Sequence, residues 1–165
     1  MAFEVRPARP EEHDEVGRVT ALAYREFADS ESWERYLGVI ADVDARAHVG
    51  VVLVAVEEGR ILGSATVELH ERIEDDDPPL PEDQAEIRML GVDPAERGRG
   101  IARAIMDASF EWAARAGKTR MRLHTTQRMK VAQAMYRSMG FERLPDRVFP
   151  DGFVLLTYEK PIPLG

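Results

Sequence analysis

The segment VDPAERGRGIARAI, residues 92–105, restricts the folds open to this chain more than any other feature. It lies between a β-rich run and an amphipathic run, so it predicts a strand, a tight turn and a helix in succession. Gly98 and Gly100 permit the backbone angles of such a turn and place no Cβ in the way of a ligand. Free N–H groups at the start of a helix attract anions, so the segment predicts a phosphate or pyrophosphate site. Three arginines would add positive charge there: Arg97, Arg99 and Arg103.

The remaining sequence alternates between strand-like and helix-like runs. Strands are predicted at residues 3–8, 49–57, 61–69, 85–92 and 118–125, with two more within 141–161 on either side of a Pro-Asp-Gly turn. Helices are predicted at residues 10–28, 31–43, 100–117 and 128–140. The order β-α-α-β-β-β-α-β-α-β-β predicts a mixed α/β fold. The continuous apolar character of residues 49–57 indicates a strand covered on both faces.

Length and composition restrict the class of protein. A chain of 165 residues suits one domain, which we expect to span residues 1–165. The absence of cysteine excludes disulfides and thiolate metal sites, and the four histidines have no metal-ligand spacing, so no metal is predicted. A net charge of -8 argues against nucleic acid as a partner. Without a signal-like N-terminal run or a long apolar stretch, we expect a cytoplasmic protein that does not enter a membrane.

Two common nucleotide-binding motifs do not fit the glycine turn. A dinucleotide-binding fingerprint would need glycine at position 103, which is Arg103, and a P-loop would need Gly-Lys-Ser/Thr. A plain tight turn with solvated arginines remains an alternative at this point.

Two segments resemble the signatures of the GNAT superfamily of N-acetyltransferases. RGRGIA, residues 97–102, resembles the family's Arg/Gln-x-x-Gly-x-Gly/Ala motif for coenzyme A. AQAMYRSMGFER, residues 132–143, resembles its second signature, Ala-x-x-(Leu/Met)-Tyr-x-x-x-Gly-Phe. The similarity covers residues 50–160 in detail. It implies a strongly twisted, mostly antiparallel mixed sheet with helices on both faces, and acetyl-CoA as co-substrate.

The resemblance also implies roles for individual residues. Backbone groups of Leu90 and Val92 would contact the pantetheine arm, and Tyr136 would protonate the departing thiolate. The pyrophosphate would lie against the turn, formed by Arg97, Gly98, Arg99, Gly100, Ile101, Ala102 and Arg103. The chain departs from many relatives at Met129, where they carry an asparagine that contacts the pantetheine.

Acetyl transfer to an amine also requires a base, because an ammonium group has no lone pair with which to attack. We expect Glu86 to be this base, with Glu68 and His124 as the other candidates. Simple alternation along the strand predicts that Glu86 and Arg88 share a face with Leu90 and Val92.

The expected function is therefore acetyl transfer from acetyl-CoA to a primary amine by direct attack. The acceptor would be a small-molecule amine, with a protein N-terminus or lysine as alternatives. The acidic residues 74–77, in a proline-rich loop at 70–84, favour a cationic acceptor. Three alternative functions are a non-catalytic acyl-CoA sensor, an acyltransferase with another acyl donor or acceptor, and a plain anion-binding scaffold. The resemblance is compatible with a homodimer, although no feature of the sequence requires one.

Overall fold

A computed structural model describes residues 2–163 of the chain. The strands are β1 (Glu4–Pro7), β2 (Gly50–Glu57), β3 (Arg60–Glu68), β4 (Gln84–Val92), β5 (Arg120–Thr126), β6 (Glu142–Val148) and β7 (Val154–Pro161). The α-helices are α1 (His13–Tyr24), α2 (Glu31–Ala41), α3 (Ile101–Arg115) and α4 (Lys130–Ser138). Within the described part of the chain, the strands form one sheet in the order β1-β2-β3-β4-β5-β7-β6. In this sheet of residues 2–163, β4 and β5 pair in parallel, and the other neighbouring strands pair antiparallel. The predicted order of elements and fold class are confirmed.

Strand β2 is buried on both faces, as its continuous apolar run predicts. Val52 and Val54 pack with Val16 of α1 in one apolar cluster. Leu53, between them, packs with Ile105 of α3 in a second, larger cluster. Because successive side chains of a strand point to opposite faces, α1 and α3 lie on opposite sides of the sheet.

Strand β4 contains a bulge that sequence alternation does not reveal. Ser64 of β3 pairs with Gly91, but Thr66 pairs with Arg88, so β4 has one more residue than its partner over this stretch. Met89 lies in the bulge with a φ of 54°, which is unusual for a residue with a side chain.

The bulge reverses the side-chain alternation along β4. Glu86 and Arg88 face the side of α2, whereas Leu90 and Val92 pack into the cluster around α3 on the other face. The prediction that these four residues share one face is therefore wrong. A strict period of two fails wherever an extra residue enters one strand.

Strands β4 and β5 remain paired over only a short distance. The parallel ladder runs from Gln84 opposite Arg120 to Ile87 opposite Leu123. Past Ile87, the edge of β4 that faces β5 has no strand partner within residues 2–163. The two strands therefore open a gap in the sheet at the end from which the glycine turn leaves. No helix in this described range is long and apolar enough to cross a membrane.

Candidate functional site

The glycine turn presents free backbone donors. None of the N–H groups of residues 97–103 donates a hydrogen bond to a backbone or side-chain acceptor within residues 2–163. Gly98 and Gly100 have φ values of 84° and 79°, and Gly100 starts α3 without a side-chain cap. A Cβ at either glycine would meet no protein atom within 4 Å, so the positive φ is what requires glycine here. The turn has the donor geometry that binds an anion at a helix N-terminus.

The three arginines of the turn are engaged to different extents. Arg99 pairs with Glu57 at 2.7 Å and with Glu96 at 2.6 Å, so its side chain points away along the sheet. Arg97 pairs with Glu26 at 2.7 Å on an exposed surface. The Arg103 guanidinium donates only to the hydroxyl of Ser138, at 3.4 Å, among the described residues. Fewer arginine charges are therefore free to bind an anion at the turn than the three arginines in the sequence suggest.

One backbone carbonyl group of β4 next to the gap already accepts a hydrogen bond. The hydroxyl of Tyr24 donates a 2.8 Å hydrogen bond to the carbonyl oxygen of Leu90. The side chains of Leu90 and Val92 pack in the apolar cluster around α3, which leaves only their backbone groups for a ligand.

A cleft of about 900 Å³ lies where β4 and β5 separate. Its floor includes Glu86 and Arg88 of β4 and His124 of β5. Its walls come from α2, from the segment at residues 69–83 that joins β3 to β4, and from the hairpin of β6 and β7. The cleft is within the size range of small-molecule sites.

Glu86 and His124 form a pair at the floor of the cleft. Their Oε2 and Nδ1 atoms are 3.0 Å apart, and the His124 side chain is 21% exposed while that of Glu86 is only 4% exposed. Burial acts to raise the pKa of Glu86, but the hydrogen bond with His124 and the charges of Arg88 and Arg72 lower it below its usual value. Glu86 therefore remains ionised, and the imidazole is the more accessible group.

A chain of ion pairs connects Glu86 to the rest of the cleft. We call it the arginine–carboxylate network; it consists of Glu68, Arg72, Glu74, Asp77, Glu86, Arg88 and Arg147. Nη1 of Arg72 lies 2.7 Å from Glu86 and 3.1 Å from Glu68. Burial raises the pKa of Glu68, and the charge of Arg88 opposes this shift. The network fastens the segment at residues 69–83 to the sheet.

Two of the four acidic residues at 74–77 belong to this network. Glu74 lies 2.6 Å from Nη1 of Arg88, and Asp77 lies 2.9 Å from Nη1 of Arg147. Arg72 also donates from Nε to the carbonyl oxygen of Pro78 at 3.0 Å. The segment at residues 69–83 therefore forms a folded wall of the cleft, and two of the four carboxylates at residues 74–77 are already neutralised.

Tyr136 lies in the core beside the cleft and is absent from the side chains that line it. Its ring packs against Phe141 and Tyr158, with centroids 5.8 Å from each. Burial raises the pKa of its hydroxyl, so the group stays protonated at neutral pH. The structure thus brings Glu86 and His124 together and places Tyr136 apart from them.

Met129 lines the cleft at the start of α4 and accepts a hydrogen bond at its sulfur from the hydroxyl of Thr125, 3.3 Å away. Sequence reasoning missed the pairing of His124 with Glu86 and the part played by Arg72. The only local signal for the first was a histidine at the end of β5. No group of three or more His, Cys, Asp or Glu residues suited to a metal occurs within residues 2–163.

Comparison with known proteins identifies the family to which the chain is similar. The model of the acetyltransferase (GNAT) family matches residues 15–141. Mycothiol acetyltransferase of Kocuria rhizophila is 29% identical over 132 residues, which cover 80% of this chain and 38% of that protein. Human N-acetyltransferase 8B is 26% identical over 131 residues, covering 74% of this chain and 56% of that protein. The chain spans between 38% and 56% of the length of these two relatives.

Solved structures share the fold over the whole chain. A putative acetyltransferase, yncA, from Salmonella typhimurium, solved with its cofactor acetyl-CoA, has a TM-score of 0.72 at 19% identity, covering 100% of this chain and 96% of that one. The PaiA N-acetyltransferase of Thermoplasma acidophilum, solved with coenzyme A, has a TM-score of 0.74 at 16% identity, covering 98% and 99%. At these identities the likeness establishes the fold.

Proposed function

Because the chain belongs to the acetyltransferase (GNAT) family, we propose that it transfers the acetyl group of acetyl-CoA to a primary amine of a small molecule. The observation that carries this proposal is the continuity of β4. The strand contributes Glu86 to the floor of the cleft and ends at the turn whose N–H groups at residues 97–103 lack acceptors within the described chain. One strand thus connects an anion site to a small-molecule cleft.

The turn would hold the pyrophosphate of acetyl-CoA. Its donors are the N–H groups of Arg97 to Arg103, supported by the positive end of the α3 dipole. Arg103 and Arg97 would add charge from their side chains, whereas Arg99 would contribute through its backbone alone. Past the bulge, the backbone of β4 at Leu90 and Val92 would contact the pantetheine arm along the edge that does not pair with β5, where the Leu90 carbonyl oxygen also accepts from Tyr24.

His124 would take the proton of the acceptor amine, and Glu86 would orient it. A carboxylate that pairs with Nδ1 holds its proton there and leaves Nε2 as the acceptor. Glu86 is the weaker base of the two because its pKa is lowered and its side chain is nearly buried. The role expected for Glu86 thus becomes a positioning role, exerted through His124.

Tyr136 would act as the acid. The amine nitrogen bonds to the thioester carbonyl carbon, and the carbon–sulfur bond then breaks. The proton of the Tyr136 hydroxyl passes to the departing thiolate, while His124 holds the proton taken from nitrogen. Burial raises the pKa of this phenol, so the hydroxyl is protonated at neutral pH and is in the form that can donate. The products are an amide and free coenzyme A. His124 then releases its proton to solvent and the Tyr136 phenolate takes one up, which restores the starting state.

A calorimetric titration with acetyl-CoA tests the proposal. We expect the wild type to bind and Gly100→Glu to lose binding, because the new carboxylate would repel the pyrophosphate. Gly117→Glu is the matched control: Gly117 also has a φ of 79° in open space, but it lies at the other end of α3. A wild type that binds no acetyl-CoA, or equal loss in both variants, would contradict the assigned anion site.

Release of coenzyme A in the presence of amines tests the reaction. Tyr136→Phe keeps the packing against Phe141 and Tyr158 but lacks the acidic proton, so we expect kcat to fall about 10-fold or more with acetyl-CoA affinity unchanged. Binding of acetyl-CoA without turnover of any amine would favour the sensor function instead.

A further inference from the structure

Two pairs of aromatic side chains line the outer part of the cleft. Trp33 and Tyr36 project from α2, with ring centroids 5.6 Å apart in an edge-to-face arrangement. Phe149 and Phe153 come from the connection between β6 and β7, with centroids 5.9 Å apart. Because α2 packs against Met89 of β4 while the hairpin lies beyond β5, the pairs flank the gap from two sides.

These rings are incompletely buried. Phe153 is 40% exposed, and Trp33, Tyr36 and Phe149 are all half-buried. Large aromatic side chains contribute most when they are removed from water, so a ligand with an apolar surface would gain by covering them.

Charge in the same region does not favour a polycation. Glu74, Asp77 and Glu86 are each paired with an arginine of the network. The remaining carboxylates that line the cleft, Asp76 and Asp151, are exposed to solvent. A second cationic group on the acceptor would therefore meet only these solvent-exposed carboxylates, where an ion pair contributes little, because arginines already hold the carboxylates at the floor.

The volume of the cleft also favours an acceptor with a large apolar group. About 900 Å³ lies near the upper end of the range for small-molecule sites, far more than a short alkylamine would fill. An unfilled cleft lined by aromatic rings would lose contacts that a larger acceptor could make.

We propose that the acceptor is a primary amine joined by a short chain to an aromatic or similarly large apolar group. This inference rests on the proposed function. The amine reaches His124 at the floor, and the apolar group lies between the Trp33–Tyr36 and Phe149–Phe153 pairs. The arginine–carboxylate network keeps the floor polar, so only one end of the cleft accepts the apolar group.

The test compares kcat/KM for 2-phenylethylamine, propylamine and 1,5-diaminopentane with saturating acetyl-CoA, each expressed per concentration of free base. We expect 2-phenylethylamine to exceed both others by about 10-fold or more. Trp33→Ala and Phe153→Ala should each lower kcat/KM for 2-phenylethylamine about 3-fold or more beyond any change in kcat/KM for propylamine. Val39→Ala is the matched control, since Val39 is an exposed apolar residue of α2 outside the cleft lining.

The outcomes separate this inference from the function on which it rests. Acetylation of all three amines at similar kcat/KM, or preference for 1,5-diaminopentane, overturns the inference and leaves amine acetylation in place. Preference for the N-terminus of a short unblocked peptide over 2-phenylethylamine also overturns it. Binding of acetyl-CoA with no acetylation of any amine overturns the proposed function, and the inference with it.

Discussion

The glycine turn and the cleft differ in how the chain builds them. The turn is one continuous segment whose binding groups are backbone N–H groups, which nearly every residue possesses. The cleft gathers side chains from α2, β4, β5, the segment at residues 69–83 and the hairpin of β6 and β7. The turn should therefore depend on a few backbone positions, and the cleft on a few side chains.

The sharpest test of this difference is His124→Gln. We expect kcat/KM for an amine to fall about 100-fold or more, because the general base is lost, while the Kd for acetyl-CoA stays within about 2-fold of wild type. Rapid-mixing or steady-state assays of coenzyme A release measure the first quantity, and calorimetry measures the second. An equal loss of acetyl-CoA binding would show that the two regions are not separable.

The controls use a second His–Glu pair and the partner of His124. His48 lies 3.2 Å from Glu71 outside the cleft lining, so His48→Gln should leave kcat/KM unchanged. Glu86→Gln should reduce kcat/KM nearly as much as His124→Gln if Glu86 acts through the imidazole. If Glu86→Gln abolishes activity while His124→Gln has little effect, Glu86 is itself the base.

The same difference explains what the sequence could predict. The turn and the order of elements depend on local signals, namely glycine spacing and apolar periodicity. These signals can be recognised in one sequence. The bulge at Met89 has no such signal, since nothing in the apolar run of this short strand marks which residue is the extra one. For that reason the predicted common face of Glu86 and Leu90 failed.

The chemistry of the cleft depends on strand pairing. His124 meets Glu86 only because β4 and β5 are parallel, with Glu86 opposite Arg122. The acidic segment illustrates the same limit. Its carboxylates could be counted in the sequence, but their arginine partners come from β4 and β6, which no local pattern connects to it.

A smaller effect is expected from Arg72→Gln. Arg72 helps to lower the pKa of Glu86, so its loss removes a positive charge that opposes protonation of this carboxylate. Glu86 then binds a proton at higher pH and no longer orients His124, so the acidic limb of the kcat/KM profile should move upward by about 0.5–1 pH unit. Activity is restored as pH rises through the new limb. The measurement is kcat/KM against pH at constant ionic strength.

Two further variants separate charge from structure at Arg72. Arg72→Lys keeps the charge and should return the limb close to its wild-type position. Arg6→Gln removes another largely buried ion-paired arginine, the partner of Glu12 at the far edge of the sheet, and should leave the profile in place. If Arg72→Gln lowers kcat/KM equally at every pH, Arg72 only supports the segment at residues 69–83.

The smallest effects are expected within the turn itself, from a comparison of Arg99→Gln with Arg103→Gln. Arg99 is held by Glu57 and Glu96, so its replacement should change the Kd for acetyl-CoA by less than about 2-fold. Among residues 2–163, the Arg103 guanidinium makes only a long contact to Ser138, so its replacement should weaken binding about 3- to 10-fold, more at low salt than at high salt. Calorimetry at two ionic strengths measures both. If the two losses are equal, Arg99 exchanges its carboxylates for the pyrophosphate on binding, and side chains of the turn matter as much as those of the cleft.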